Sequence, residues 1–200
     1  CMSLGAAGIG AAWAVVNSAY NKKEEKESES NRVNKYLEYM FACFLEENFI
    51  IHNDFDILNI GIGAGYWDRY LSYKVTNGSL TSIDIDRECS DNLAACLENE
   101  NNTNPIKVIC ADAITYDFDK KFDLVTMVGS AVAESGKTKA IIAKAISLIK
   151  ENGALYLQIL HKDTDFDTDA FCGEHNVRID KRLVDDKYGI HCEYYKIKKC

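Results

Sequence analysis

The sequence predicts an α/β fold: a doubly wound sheet of seven strands, parallel except for an antiparallel last strand. Three observations predict it. From Phe55 onward, short apolar runs alternate with amphipathic helical stretches, the pattern of a parallel sheet covered on both faces. The first run, 55–60, leads directly into Gly61, Gly63 and Gly65 and then into a helical stretch. The chain ends on two strand-like segments, 177–183 and 192–198, around the turn-like Asp185-Asp186-Lys187-Tyr188-Gly189, an antiparallel hairpin.

The elements follow in order. Trp13, Val16 and Tyr20 share one face of a first helix, and residues 22–30 form a charge run. Leu37, Met40, Phe41, Phe44, Leu45 and Phe49 give a second, strongly amphipathic helix. Residues 1–50 thus read as an N-terminal helical cap and 51–200 as one structural unit. Within that unit the strands are expected at 55–60, 79–85, 106–110, 122–128 and 153–160, before the hairpin. Helices are expected at 66–75, 87–99 and 138–150, the last one closed by Asn152-Gly153. Pro105 stands just before a strand, where it does no harm.

Composition narrows the function. The 200 residues are 47% hydrophobic and 27% charged, with a net charge of −8. That balance suits one globular domain and argues against non-specific nucleic-acid binding, which needs a basic footprint. The apolar segment 4–16 is too short to span a bilayer and lacks the flanks of a secretory signal. The cysteines are Cys1, Cys43, Cys89, Cys96, Cys110, Cys172, Cys192 and Cys200, with no CxxC pair among them. Cys43, Cys89, Cys96 and Cys110 fall at apolar positions of the expected elements and read as small buried hydrophobes in a reducing cytoplasm.

In this fold class ligands sit beyond the C-terminal ends of the strands. Glycines at every second position after the first strand turn the backbone sharply and let it approach a polar or anionic ligand. Asp84 closes the second strand about 20 residues later, the spacing at which a carboxylate accepts both hydroxyls of a ribose. Asp112 follows the third strand, placed to accept from an exocyclic amine of adenine. Ile85 and Ala113 offer apolar surfaces for the base, and Gly129 follows the fourth strand. Together they describe a pocket for an adenosine-containing cofactor.

These residues lie in the segments DILNIGIGAGYW, LTSIDIDRECSDNLA, VICADA, FDLVTMVGS and LIKENGALYLQIL. Here, over about Ile57 to Leu160, the chain resembles the class I S-adenosylmethionine-dependent methyltransferases, whose fold is Rossmann-like. The resemblance implies that Gly61, Gly63 and Gly65 pack on the methionine moiety, with Asn59 and Tyr66 beside them. It also implies that Asp84 binds the ribose and Asp112 the adenine amine. Two positions depart from the family pattern: Asn59 stands where an acid is common before the first glycine, and Asn152-Gly153 replaces Gly-Gly. Tyr66, in place of the third glycine of a GxGxxG loop, turns the reading away from dinucleotides.

Other motifs are weighed against it. AVAESGKT at 131–138 ends like a phosphate-binding loop but begins on Ala131, and no later strand ends in a magnesium-binding Asp. The acidic stretch 163–169 lacks the Gly and terminal Glu of a calcium loop and reads as an acidic surface loop. His161, after the fifth strand, and Glu134, after the fourth, are the candidates for a general base. Methyl transfer itself asks mainly for in-line positioning.

The expected function is methyl transfer from S-adenosylmethionine to a small-molecule acceptor, in the cytoplasm, with no metal, no nucleic acid and no membrane. The alternatives are an aminopropyl- or aminocarboxypropyl-type transferase on the same fold and a non-catalytic module that binds the same cofactor.

Overall fold

The computed structural model describes residues 29–129, 132, 135–161 and 166–200. Trp13, Tyr20, Ala131 and Glu134 lie outside the described residues, as do positions 162–165 of the acidic stretch. The elements are α1 (Glu29–Asn48), β1 (Asp56–Ile60), α2 (Tyr66–Ser72), β2 (Ser79–Asp84), α3 (Arg87–Asn99), β3 (Ile106–Cys110) and β4 (Phe122–Met127). They continue with α4 (Thr138–Ser147), β5 (Ile149–Leu160), α5 (Thr168–Glu174), β6 (Val177–Asp185), a 3-10 turn (Lys187–Gly189) and β7 (Cys192–Lys199). Residues from Phe41 to Cys200 make one compact unit.

The seven strands lie in the order β3-β2-β1-β4-β5-β7-β6. Every pair is parallel except those made by β7, which runs antiparallel to both β5 and β6. The order reverses between β1 and β4, which opens a crevice at their C-terminal ends. Burial on both faces accounts for the continuous apolar runs. Along β5, Leu155, Leu157 and Ile159 enter the core that also takes Ile141, Ile142 and Ala145 of α4. Tyr156 and Gln158 point to the other face and are buried there too. On that face the aromatic rings of Phe41, Phe49 and Tyr156 stack, at centroid distances of 4.7 and 5.3 Å from Tyr156, and the Tyr156 hydroxyl donates to the Phe41 carbonyl at 3.2 Å. The apolar face expected for the second helix is therefore used, at least in its residues from Phe41 on.

Several boundaries differ from expectation. Helix α4 ends at Ser147 rather than 150, because the Leu148 carbonyl accepts from Phe122 N at 2.8 Å and Ile149 already pairs with Phe122. Asn152-Gly153 lies inside β5, at a register shift opposite Phe122 and Leu124. A Cβ on Gly153 would meet the Phe122 carbonyl at 2.9 Å and the Asp123 carbonyl at 2.8 Å, so this glycine serves close strand approach, not a helix end. Helix α2 stops at Ser72, three residues short of the expected end.

Part of the acidic stretch is not loop. Asp167 caps α5 by accepting from Ala170 N at 2.9 Å, and Phe166 and Phe171 enter the core. The cysteine reading also needs correction. Cys110 is exposed and Cys43, Cys89 and Cys96 are only partly buried, whereas the buried thiols are Cys172 and Cys192. Burial pushes the Cys172 thiol up to about 11, which keeps it a protonated, apolar-like group at neutral pH.

Acids at the other end of the sheet are structural. Asp56 takes Lys120 and Lys150, and Asp123 takes Lys150 as well. Burial alone would raise Asp56, but these partners and the Ser79 hydroxyl bring it down to about 2.

Candidate active site

The glycine loop leaves β1 with Gly61, Gly63 and Gly65 all in the left-handed region, at φ of 92, 52 and 73°. Gly65 starts α2 and packs so closely that a Cβ would meet Leu93 Cδ1 at 3.1 Å. Gly65→Ala should cost about 1–2 kcal/mol, from the strained φ and the displaced leucine together. Chemical denaturation would measure this, and an unchanged midpoint would contradict the loop geometry. Gly63 and Gly129, also at positive φ, face open space, with no atom within 4 Å of a built Cβ. They leave room for a ligand against the backbone.

Asp84 organises this loop. Its Oδ2 accepts from Ile62 N at 2.7 Å and Gly63 N at 3.2 Å, and its Oδ1 accepts from Asp86 N at 2.9 Å. Gly61 N donates to the Ile83 carbonyl and Gly65 N to the Ile62 carbonyl, both at 2.9 Å. The N–H groups of residues 61, 62, 63 and 65 are thus engaged within the protein. A phosphate cradle needs such donors free. The loop therefore presents glycine backbone and a nearby carboxylate rather than a set of free amide donors, and the anionic ligand left open by the sequence does not fit it.

The neighbouring strand ends complete the site. Asp86 caps α3 through Glu88 N at 2.8 Å. Ile85, between Asp84 and Asp86, is 74% exposed, and Tyr66 at the start of α2 is 53% exposed. Exposed apolar surface beside a loop of bare backbone is the kind that a bound ring covers. After β3, Asp112 Oδ1 accepts from Ile114 N at 2.8 Å, which shapes the turn carrying buried Ala113. After β4, Gly129 N donates to Gln158 Oε1 at 2.7 Å. Gln158 is a buried β5 residue that sequence reading passed over; its only signal was a polar residue inside an apolar strand.

Asn59, just before the first glycine, is engaged within the protein. It is fully buried. Its Nδ2 donates to the Gly61 carbonyl at 3.0 Å and Asp68 Oδ1 at 2.8 Å, and its Oδ1 accepts from the Thr126 hydroxyl at 2.7 Å. It supports the loop from below. Asp68, also fully buried, went unread in the sequence. Its Oδ2 has no hydrogen-bond partner, and neither has the buried Ser82 hydroxyl. Burial pushes the Asp68 carboxyl up to about 6, against the pull of the Asn59 amide and of the nearby Ser82 hydroxyl, which lies close without closing a hydrogen bond.

His161 follows β5 at the same edge of the sheet. Its Nε2 lies 2.5 Å from Glu193 Oε2. Glu193 is buried, and it also takes Arg182 and the Tyr195 hydroxyl. Burial would raise the Glu193 carboxyl, but Tyr195, Arg182 and His161 lower it to about 2. In the 131–138 loop, Lys137 N donates to the Ser135 hydroxyl at 3.0 Å and the Thr138 hydroxyl to the Val132 carbonyl at 3.4 Å.

Residues 57–153 match a family model described as a methyltransferase domain. Malonyl-[acyl-carrier protein] O-methyltransferase 2 of Ilyobacter polytropus is 24% identical over 186 residues, covering 88% of this chain and 69% of that protein. Among solved structures, a SAM-dependent methyltransferase from Aquifex aeolicus superposes with a TM-score of 0.65 at 16% identity, over 78% of this chain and 87% of that one. The [4+2]-cyclase SpnF superposes with a TM-score of 0.67 at 12% identity, over 80% of each chain. The fold is shared by both, so it does not by itself choose the reaction. No helix among the described residues is long and apolar enough to cross a membrane. The strand order, the glycine loop tied to the β2 carboxylate and the domain match agree: residues 57–153 carry a methyltransferase domain, on the fold shared by the S-adenosylmethionine-dependent methyltransferases.

Proposed function

We propose that the protein transfers the methyl group of S-adenosylmethionine to a small-molecule acceptor. The observation that carries the site assignment is Asp84, which engages the loop N–H groups that a phosphate would need. With Asp86 and Asp112 at neighbouring strand ends, the edge is acidic, which suits a ligand bearing a sulfonium and an ammonium.

When bound, the cofactor supplies an electrophilic methyl group. The chain's own residues position it. The open backbone at Gly63 and Gly129 lets the amino-acid part lie close, with Gly61 leading into the loop, and Gly65 holds the turn. Asp84 accepts from the ribose hydroxyls while keeping the loop in place. Ile85 and Ala113 flank the base, and Asp112 accepts from its amine. Tyr66 covers the loop from the solvent side. Asn59 acts indirectly, through the Gly61 carbonyl. The acidic net charge disfavours nucleic acid as the acceptor, and the relative named above is an O-methyltransferase named for a malonyl group on an acyl-carrier protein.

The test is calorimetric titration with S-adenosylmethionine, followed by product analysis over a panel of hydroxyl, carboxyl and amine acceptors. Binding with formation of S-adenosylhomocysteine and a methylated acceptor is the expected result. Methylthioadenosine instead would establish the aminopropyl- or aminocarboxypropyl-type alternative, and binding without turnover of any acceptor the non-catalytic one. No heat at millimolar ligand would overturn the site itself.

A further inference from the structure

We propose that His161, His191 and Glu193 form a binding site for a divalent transition-metal ion, of which zinc is the best fit. One donor atom from each lies within 4.8 Å of the others. The three come together because β5 ends where β7 begins: Leu160 pairs with Cys192, and His161 N donates to the His191 carbonyl at 2.9 Å. That pairing sets the two imidazoles side by side and tilted by 54°, at 4.8 Å between ring centroids.

The donor chemistry suits zinc. Two imidazoles and one carboxylate make a three-ligand set with a fourth position open to water. His191 is already oriented for the task, because its Nδ1 bonds the Asp186 carboxylate. A carboxylate on one ring nitrogen fixes the tautomer and turns the other nitrogen, here Nε2, outward as a lone pair. That Nε2 lies 4.0 Å from Glu193 Oε1. His161 Nε2 lies 2.5 Å from Glu193 Oε2. Two ligands of a tetrahedral zinc stand about 3.4 Å apart, given zinc–ligand distances of about 2.0–2.2 Å. Small side-chain rotations therefore bring the three atoms to ligand spacing, one pair opening and the other closing.

Electrostatics agree. Glu193, Asp186 and Asp169 contribute three carboxylates to this cluster against the single guanidinium of Arg182. The surplus is negative when the imidazoles are neutral. Arg182 and Tyr195 stay on the Glu193 carboxylate as the hydrogen-bonding partners that a metal-bound carboxylate ordinarily keeps. The side chains of His191 and His161 are 47% and 22% exposed and that of Glu193 only 5%. An ion can therefore enter from solvent and end on a buried carboxylate. The site lies at the strand-end edge that carries the glycine loop. It spans the ends of β5 and β7, two and three strand spacings from β1, roughly 10–15 Å, and so lies beside the proposed cofactor position rather than within it.

The experiment uses the full chain, stripped with a chelator and titrated with zinc chloride by calorimetry. One equivalent should bind, with a dissociation constant of about a micromolar or tighter. His191→Ala, a partly exposed position whose change should leave folding intact by circular dichroism, should weaken binding about 100-fold, as should His161→Ala. Asp186→Asn should weaken it about 10-fold. Cobalt(II) substitution should give visible bands of a nitrogen- and oxygen-ligated site without a thiolate charge-transfer band. The proposal is overturned if no stoichiometric zinc binds, if the His161→Ala/His191→Ala double variant binds as the parent does, or if cobalt reports thiolate ligands. None of these readouts depends on methyl transfer, so the site stands or falls apart from the proposed function.

Discussion

Asp84→Ala is expected to lower the affinity for S-adenosylmethionine about 100-fold or more, in a chain that still folds. The carboxylate has two tasks under the proposed function. It accepts from Ile62 N, Gly63 N and Asp86 N, and it would accept from the ribose hydroxyls. Hydrogen bonds to a charged group contribute roughly 1.5–3 kcal/mol each, so losing the ribose contacts alone accounts for two orders of magnitude. Release of the loop adds to that. Asp84→Asn keeps one carbonyl acceptor and should fall between the two, near 10-fold. Calorimetry with the cofactor and with S-adenosylhomocysteine measures both variants. An unchanged affinity for the alanine variant would remove the ribose site from Asp84. A matching loss of ligand-induced thermal stabilisation would support it.

Asp68→Asn is expected to stabilise the protein by about 1–3 kcal/mol at neutral pH and to abolish a pH dependence of the parent between about pH 4 and 6. The Asp68 carboxyl titrates at about 6 in the folded chain, from an ordinary value of 3.8. The folded state therefore holds a proton in this range that the unfolded state has released. Stability accordingly falls as pH rises through the window and levels off above about 6. Two pH units correspond to about 3 kcal/mol. An asparagine accepts from Asn59 as the aspartate does and donates toward the unpartnered Ser82 hydroxyl, without a buried charge. Denaturant unfolding of both chains across pH 4–8 isolates the effect, because every other titrating group is common to the two. Parallel pH profiles for parent and variant would show that Asp68 is not the buried ionising group described.

The same residue marks the limit of sequence reading. Its neighbour Asn59 stands before the first glycine, where the family pattern suggests a role next to the ligand, and the structure buries it instead. Alternation along β1 puts Leu58 and Ile60 into the core shared with α4, and so turns Asn59 to the opposite face. There it meets Asp68 of α2 and Thr126 of β4. Alternation is visible in a sequence; which helix closes over a given face is not. The place of Asp84 beside the glycine loop was legible for the opposite reason. It ends a strand whose C-terminal edge is the ligand edge throughout this fold class, so position in the chain was enough.

Helix α5 and the start of β5 show a second limit. Asp167 looks like one more acid in an acidic run, and only its bond to Ala170 N makes it a cap. Asn152-Gly153 resembles a helix stop, but pairing between Ile149 and Phe122 draws those residues into the sheet. At Asn152-Gly153 a long-range contact outweighs local propensity.

The sequence by itself determined the alternation of strands and helices, the sense of the last strand, the glycine loop and the carboxylates at the ends of β2 and β3. Each depends on periodicity or on spacing within one βαβ unit, so local pattern is sufficient. Only the tertiary structure decided that the loop amides are engaged within the protein, that Asn59 and Asp68 share a buried bond, and that His161, His191 and Glu193 meet. Asp84 meets the loop across 22 residues and Glu193 meets His161 across 32, distances that strand pairing sets, while Asn59 and Asp68 are nine residues apart and meet only where α2 packs over β1.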